Sequence, residues 1–325
     1  VAFALAVGGV VAMLAGALMR GAQPVLANYV PVIDHPLFLG GLAAFFVGAL
    51  LFLLETLATN APPRAGGPPA DAAAGLQAAA VAFVLAGATW LATRASLPDG
   101  LDLWTRYEFS AWGAGHVLQV ANVAAMLAVW LWLLARATGT PVLAASTARV
   151  LFTLLVAPHF VMPLLTARGA LNPLYHSGAT QLMRWGIFPI VLVVFALGVR
   201  HLWRHRAAGR DALGSAARAG FAASAGLTLL GIGLGACIRS STTLVPAHYH
   251  ASLGGVTVAF MAAAYLVCDA IARETRGGLP AATTRAARRQ LVLFGFGQAV
   301  FALGFAIGGV YGLGRKAYAG EQHVR

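Results

Sequence analysis

The chain has 325 residues, of which 59% are hydrophobic and 10% charged, far below the roughly 25% charged residues of soluble domains. With a mean hydropathy of +0.78 it reads as a polytopic membrane protein. The net charge of +12 would suggest a nucleic-acid partner in a soluble protein. Here the arginines fall in short connections between apolar runs, where they act as topology signals, and no nucleic-acid binding is expected. The two cysteines, Cys237 and Cys268, lie in or at the ends of apolar segments and read as free thiols.

In chain order, windows long enough to cross a bilayer, about 20 residues each, fall at 1–20, 35–58, 74–96, 112–136, 147–167, 177–199, 215–237, 246–271 and 290–313. The expected fold is an all-α polytopic membrane helical bundle of about nine transmembrane helices, forming a single domain over 1–325. The Pro/Gly-rich stretch 61–69 is a loop. Residue 1 already lies in an apolar run, which reads as a chain without its preceding helices and a final helix. The connections 200–218 and 272–289 are rich in arginine and are expected on the cytoplasmic side of a bacterial plasma membrane. Alternation then puts 21–34, 97–111, 168–176, 238–245 and the C-terminal tail outside.

That orientation brings His116, His159, His248 and His250 to a similar depth near the outer surface, with His176 close to the same level. His201 and His205 fall in a cytoplasmic basic connection and read as solvated or lipid-facing. His248-Tyr249-His250 opens the eighth predicted span. Positions i and i+2 of a helix lie about 200° apart, so the two imidazoles face opposite sides and one metal ion cannot take both. The spacing suits a helix wedged between two prosthetic groups that each take one axial nitrogen, and haem iron is the commonest such group. For any one intramembrane histidine the plain alternative is a hydrogen bond between helices. Four at one depth on three helices favour a metal or haem centre.

Other polar residues have competing readings. Gln119 is three residues after His116, on the same helical face, and either packs by a hydrogen bond or reaches whatever His116 binds. Arg315 and Lys316 close the last span, as interfacial anchors or as partners for carboxylates. Glu55 and Glu108 read as interface caps or as part of a proton path. Trp104, Trp112, Trp185 and Trp203 read as an aromatic belt, and Gly231, Gly235, Gly295 and Gly297 as close-packing positions without chemistry.

Four stretches carry a family resemblance: Tyr29-Val30-Pro31-Val32, Trp112-Gly113-Ala114-Gly115-His116, Val245-Pro246-Ala247-His248-Tyr249-His250, and Gly314-Arg315-Lys316-Ala317-Tyr318. Together they resemble the catalytic subunit of the haem-copper oxidase superfamily, that is, cytochrome c oxidase subunit I and its nitric oxide reductase relatives. The resemblance covers nearly the whole chain, matching the family's third to eleventh helices, and the HYH element is its most specific part. It implies that His248 is the proximal ligand of a high-spin catalytic haem and His250 an axial ligand of a low-spin haem. It implies that His116 binds a non-haem metal, copper or iron, and that Arg315 and Lys316 approach the haem propionates. The outer-side placement of the family's haems agrees with the topology read from the arginines.

Three departures matter. Where the oxidases carry a cross-linked tyrosine four residues after the ligand, this chain has Val120. Where they have two adjacent histidines, it reads Pro158-His159-Phe160. No residue obviously supplies the second axial ligand of the low-spin haem. His159 is expected to remain a ligand, with the third metal position filled by Gln119, His176 or water. Splitting dioxygen draws on the electron and proton of that tyrosine, whereas reducing two nitric oxide molecules needs only two electrons. Nitric oxide reduction to nitrous oxide therefore ranks ahead of dioxygen reduction to water by a cytochrome c or quinol oxidase. The implied partners are an electron donor, namely cytochrome c, quinol or a cytochrome subunit, with other respiratory subunits and membrane lipid. The competing classes are a non-catalytic haem-handling protein, a transporter, which the common depth of the histidines disfavours, and an inactive homologue.

Overall fold

A computed structural model describes residues 1–25, 27, 32–58, 66–206 and 211–315, except for the side chain of Arg276. Its helices are α1 (Ala2–Ala17), α2 (Pro36–Ala58), α3 (Ala70–Ser96), α4 (Leu103–Thr138), α5 (Ala145–Val156), α6 (Met162–Leu165), α7 (Pro173–Leu182), α8 (Phe188–Arg204), α9 (Ala212–Ala236), α10 (Leu244–Arg276) and α11 (Ala281–Val310). Short 3-10 turns at Ala157–Val161 and Thr166–Arg168 flank α6, and a π-turn at Met183–Ile187 joins α7 to α8. Counting those joined pieces together, eight helices among the described residues are long and apolar enough to cross a membrane. The protein is all-α and polytopic, and its helices follow the expected spans in order. The remaining apolar helix, α1, has 16 residues, about 24 Å of rise against a hydrocarbon core of about 30 Å.

The expected 21–34 loop holds a small antiparallel hairpin, β1 (Gln23–Val25) on β2 (Val32–Asp34), with Gln23 opposite Asp34. The Tyr107 hydroxyl donates to Asp34 Oδ1 at 3.1 Å, which fixes the hairpin to the first turn of α4. Tyr29-Val30-Pro31 lie outside the described residues.

The chain divides into two compact units: Val1–Pro62, Gly75–Ala125 and Arg149–Ile190 form the first, and Pro63–Ala74, Met126–Ala148 and Val191–Arg325 the second. In the first unit α1 and α2 pack through glycines seven residues apart on each helix. A Cβ at Gly9 would lie 2.5 Å from Gly41 O, one at Gly16 2.5 Å from Phe38 N, and one at Gly48 2.7 Å from Ala2 O. Only hydrogen fits at these points, as expected of helices that associate without a hydrophobic driving force between them. A separate core of Leu85, Val117, Met162, Tyr175 and Ala179 joins α3, α4, α6 and α7.

In the second unit, α9, α10 and α11 pack on one another and on the C-terminal part of α4. Trp130 Nε1 donates to Ser224 Oγ at 2.7 Å, and Ser224 Oγ donates to Gly255 O at 2.7 Å. This relay links α4, α9 and α10 with every buried polar atom in it paired. The buried carboxylate of Asp71 accepts from Val142 N at 3.1 Å and Leu143 N at 3.0 Å, holding the turn after α4.

Two expectations need correction. The arginine-rich connections are shorter than expected, because the helices run past the apolar windows: Arg204 belongs to α8, Arg218 to α9, and Arg285, Arg288 and Arg289 to α11. Arginine is a good helix former, so charge ends a membrane window without ending the helix. His201 is also not solvated. It is 8% exposed, and its Nε2 donates at 2.9 Å to Thr138 Oγ1, whose own proton goes to Leu134 O at 2.8 Å. A hydroxyl on the last residue of α4 thus accommodates a histidine within the second unit.

Because a Cβ at Gly41 would lie 2.6 Å from Gly9 O whereas, among the described residues, nothing would lie within 4 Å of one at Gly40, neighbouring substitutions should have opposite effects. Gly41→Ala is expected to destabilise by about 1–3 kcal/mol through overpacking. Gly40→Ala should be neutral or stabilising by up to about 1 kcal/mol from helix propensity. Thermal unfolding of the two variants in detergent reads the difference directly.

Asp211 gives a pH prediction. Its side chain caps α9 through Gly214 N at 3.2 Å and receives both Arg136 nitrogens, Nη2 at 2.6 Å. The Arg136 hydrogen bond, aided by its charge and the Gly214 cap, holds the Asp211 carboxyl below the usual carboxylate range. A depressed native pKa contributes stability that is fully present above the unfolded value, about 3.9, and is lost as pH falls through the native one. The carboxylate is half exposed, so Asp211→Asn should cost at most about 1 kcal/mol at neutral pH. That cost should shrink toward zero in the acid limb of a pH–stability series.

Candidate functional site

The two histidines of α10 diverge as the i, i+2 spacing requires. His248 faces α9, where its Nδ1 lies 2.7 Å from Gly231 O. Because a carbonyl only accepts, the ring is the Nδ1–H tautomer and its lone pair is on Nε2. Gly235, one turn further along α9, makes room for the ring: a Cβ there would lie 2.8 Å from His248 Nδ1. His250 faces α11, its ring stacked on Phe305 at 5.4 Å and edge-on to Phe301 at 4.8 Å. Gln298 Nε2 donates to the His250 carbonyl at 2.9 Å, holding the backbone at His250 against α11.

The C-terminal segment closes over this end of α10. Thr243 N donates to Leu313 O at 2.9 Å and Arg315 N to Ser241 O at 3.1 Å. The Arg315 guanidinium lies 5.6 Å above the ring of Tyr249, a cation–π distance. One cation thus stands beside the HYH element, while Lys316 lies outside the described residues.

The remaining candidate ligands belong to the first unit. His159 sits where α5 gives way to a 3-10 turn, since Pro158 and Pro163 have no N–H for the helical ladder. Its Nδ1 donates to Leu155 O at 3.0 Å, taking the carbonyl that a regular helix would pair with the backbone at i+4. His159 is 2% exposed, and among the described residues its buried Nε2 has no hydrogen-bond partner. The ring rests on Gly186 in the π-turn, where a Cβ would lie 2.9 Å from Cε1. Neither the π-turn nor the role of Gly186 has a sequence signature, although π-turns are common at functional sites.

His116 Nδ1 donates to Trp112 O at 2.8 Å. The Trp112 ring lies 4.1 Å from that of His116 and 4.2 Å from that of His176, and Tyr175 and Phe109 complete the aromatic group. The Tyr175 hydroxyl, paired with Thr93 Oγ1 at 2.7 Å, fills the space beside Gly113. Trp112 therefore packs between histidines rather than belonging to an exposed belt, unlike Trp104, Trp185 and Trp203, which are exposed. Gln119 is half-buried one turn beyond His116. Glu108 is buried near the start of α4, and Glu55 is exposed at the end of α2.

These placements bear on a bound group in two ways. His248 and His250 fit single axial ligation of two separate groups: they point to different helices, and His248 has its second nitrogen fixed by a carbonyl, as ligating histidines usually do. A three-histidine metal set is less well served. Among the described residues no three His, Cys, Asp or Glu side chains gather to hold a metal ion. His116 and His176 meet at Trp112, while His159 is held against the π-turn.

No family model matches the chain. It is 29% identical over 256 residues to an uncharacterized protein of Aquifex aeolicus (strain VF5), over 78% of this chain and 62% of that protein. The chain spans less than two thirds of this relative's length.

Gly235→Ala is expected to push His248 off Gly231 and destabilise by about 1–3 kcal/mol. Gly233→Ala, where nothing lies within 4 Å, should leave stability unchanged or slightly raised. Unfolding curves together with carbethoxylation of His248, read by mass spectrometry, separate the two cases, because only the first variant should speed modification.

Proposed function

We propose that this chain is the haem-bearing catalytic subunit of a respiratory oxidoreductase related to the haem-copper oxidases, acting on a diatomic substrate, with nitric oxide reduction to nitrous oxide ahead of dioxygen reduction. The observation that carries the reading is the divergence of His248 and His250 on one helix, with His248 oriented by the Gly231 carbonyl. Haem would be held by His248 and His250 and would supply one-electron redox chemistry and an open position for a small ligand. Copper or non-haem iron would be the partner metal, with His116 and His159 as its first candidates and Gln119 or His176 beside them.

The chain's own residues contribute orientation and electrostatics. The Nδ1–H bond to Gly231 fixes the His248 ring and makes its Nε2 more basic. Phe301 and Phe305 hold the His250 ring in an apolar contact, and Arg315 brings a cation suited to propionate carboxylates. Val120 has no proton or electron to donate, which favours the two-electron, two-proton conversion of two nitric oxide molecules to nitrous oxide and water. The site would face the outer side of a bacterial plasma membrane, taking electrons from cytochrome c, quinol or a cytochrome subunit. A second reading, a haem-handling protein without turnover, is favoured by the separate packing of His159 and His176.

The test uses full-length protein purified in detergent with any co-purifying subunits. Wild type should show two haem signals, and His248→Ala and His250→Ala should each abolish a different one. Anaerobic nitric oxide consumption with nitrous oxide formation and little oxygen uptake is the expected activity. Rapid oxygen uptake would transfer the assignment to the oxidase class, haem without turnover would transfer it to the haem-handling class, and a wild type without haem would overturn the proposal.

A further inference from the structure

At the end of the second unit away from the HYH element, the first turns of α11 carry three arginines on two faces. Arg285 and Arg289, spaced i, i+4 and therefore on one face, line an open groove of about 680 Å³ with Met261, Gln290, Leu293 and Phe294. Arg288 lines a different groove on the α9 side, with Ala223, Val292 and Phe296. Gln290, part of the first groove's lining, accepts a hydrogen bond from the Tyr265 hydroxyl at its Oε1. The lining of this groove is unlike along its length: Arg285 and Arg289 come first along α11, and Leu293 and Phe294 follow them toward the apolar part of the helix, with Met261 contributed by α10.

We propose that this groove binds one anionic phospholipid, its phosphate held by Arg285 and Arg289 and an acyl chain lying over Met261, Leu293 and Phe294. Charge complementarity selects this occupant. Arg136 pairs with Asp211 and Arg273 with Asp269, and among the described residues neither arginine of the groove takes part in an ion pair. A pair of guanidinium groups offers a planar array of donors that matches phosphate oxygens. Depth agrees with charge. At 1.5 Å per residue, Leu293 lies about 6 Å further along α11 than Arg289 and about 12 Å further than Arg285. The headgroup layer is about 5–8 Å thick on each side of the bilayer, so arginines at phosphate level put Leu293 and Phe294 among acyl carbons. Basic pockets between membrane helices hold lipid headgroups in this way. The proposal does not depend on the haem reading.

The test reconstitutes full-length protein into phosphatidylcholine vesicles containing a minority of phosphatidylglycerol, re-extracts it gently, and measures retained lipid by native mass spectrometry. Wild type should retain phosphatidylglycerol selectively at a single site. Arg285→Gln with Arg289→Gln should weaken that retention about thirtyfold, whereas Arg288→Gln should leave it intact. Ala286→Trp, which fills the groove and keeps both arginines, should also abolish it, so the idea remains testable if the double glutamine variant fails to fold. Arg285→Lys with Arg289→Lys should keep the preference for anionic over zwitterionic lipid. Equal retention of the two lipids by wild type, unchanged retention in both disabling variants, or displacement of the lipid by inorganic phosphate alone would overturn the proposal.

Discussion

The constraint that shapes this protein is that every backbone N–H and C=O in an apolar span must find a partner inside the protein. Regular helix meets it automatically, so the places where regular helix lapses show where something else has been arranged. The longest lapse runs from Ala157 to Arg168, where two prolines remove donors and the chain passes through two 3-10 turns. At its start, the imidazole of His159 bonds the Leu155 carbonyl. Such a bond orients the ring as well as satisfying the backbone. The neighbouring lapse, the π-turn at Met183–Ile187, presents Gly186 to that ring. The two irregularities are complementary, since a regular helix bearing a Cβ at this point would occupy the space the ring fills.

The same economy of space explains the glycines. Between α1 and α2 they admit backbone against backbone, whereas on α9 they admit a side chain: Gly231 offers its carbonyl and Gly235 its missing Cβ, both to His248. Gly113 plays the same part for Tyr175 in the first unit. A small residue in a membrane helix therefore has two possible roles, and the contact alone tells them apart. The polar relay Trp130–Ser224–Gly255 ties α9 and α10 together away from the histidine, so the approach of the two helices does not rest on the His248 bond alone.

What was legible in the sequence was what depends on period and composition. Apolar windows located the helices in order, and the 200° separation of i and i+2 foretold that His248 and His250 would face different neighbours. What was not legible depended on partners distant in sequence. Gly231 and Gly235 read as packing positions because nothing local links them to a histidine 17 and 13 residues away. His201 read as solvated because its neighbours in sequence are arginines, yet a threonine on α4 draws it inward. Trp112 read as an interfacial anchor from its place near a span end, although its environment is set by α7. Helix ends were also misjudged where arginine marked the end of an apolar window but not of a helix.

The histidine contacts do not all carry equal weight. A ring nitrogen bonded to the carbonyl four residues earlier recurs at His116, His159 and His205, and His205 lies at the end of α8 beside the basic connection. That pattern is thus a local property of histidine on a helix and says little about ligation. His248 differs, because its bond reaches a carbonyl on another helix, with a glycine beside it that leaves space for the ring. His159 differs in another way, because its outer nitrogen is buried and, among the described residues, no atom answers it, and leaving such a group unpaired costs about 1–3 kcal/mol. The His248 bond is satisfied and costs folding nothing, whereas the buried nitrogen of His159 could be replaced by an apolar side chain at a gain to folding. A ligating role at His159, as in the proposed reading, would offset that cost.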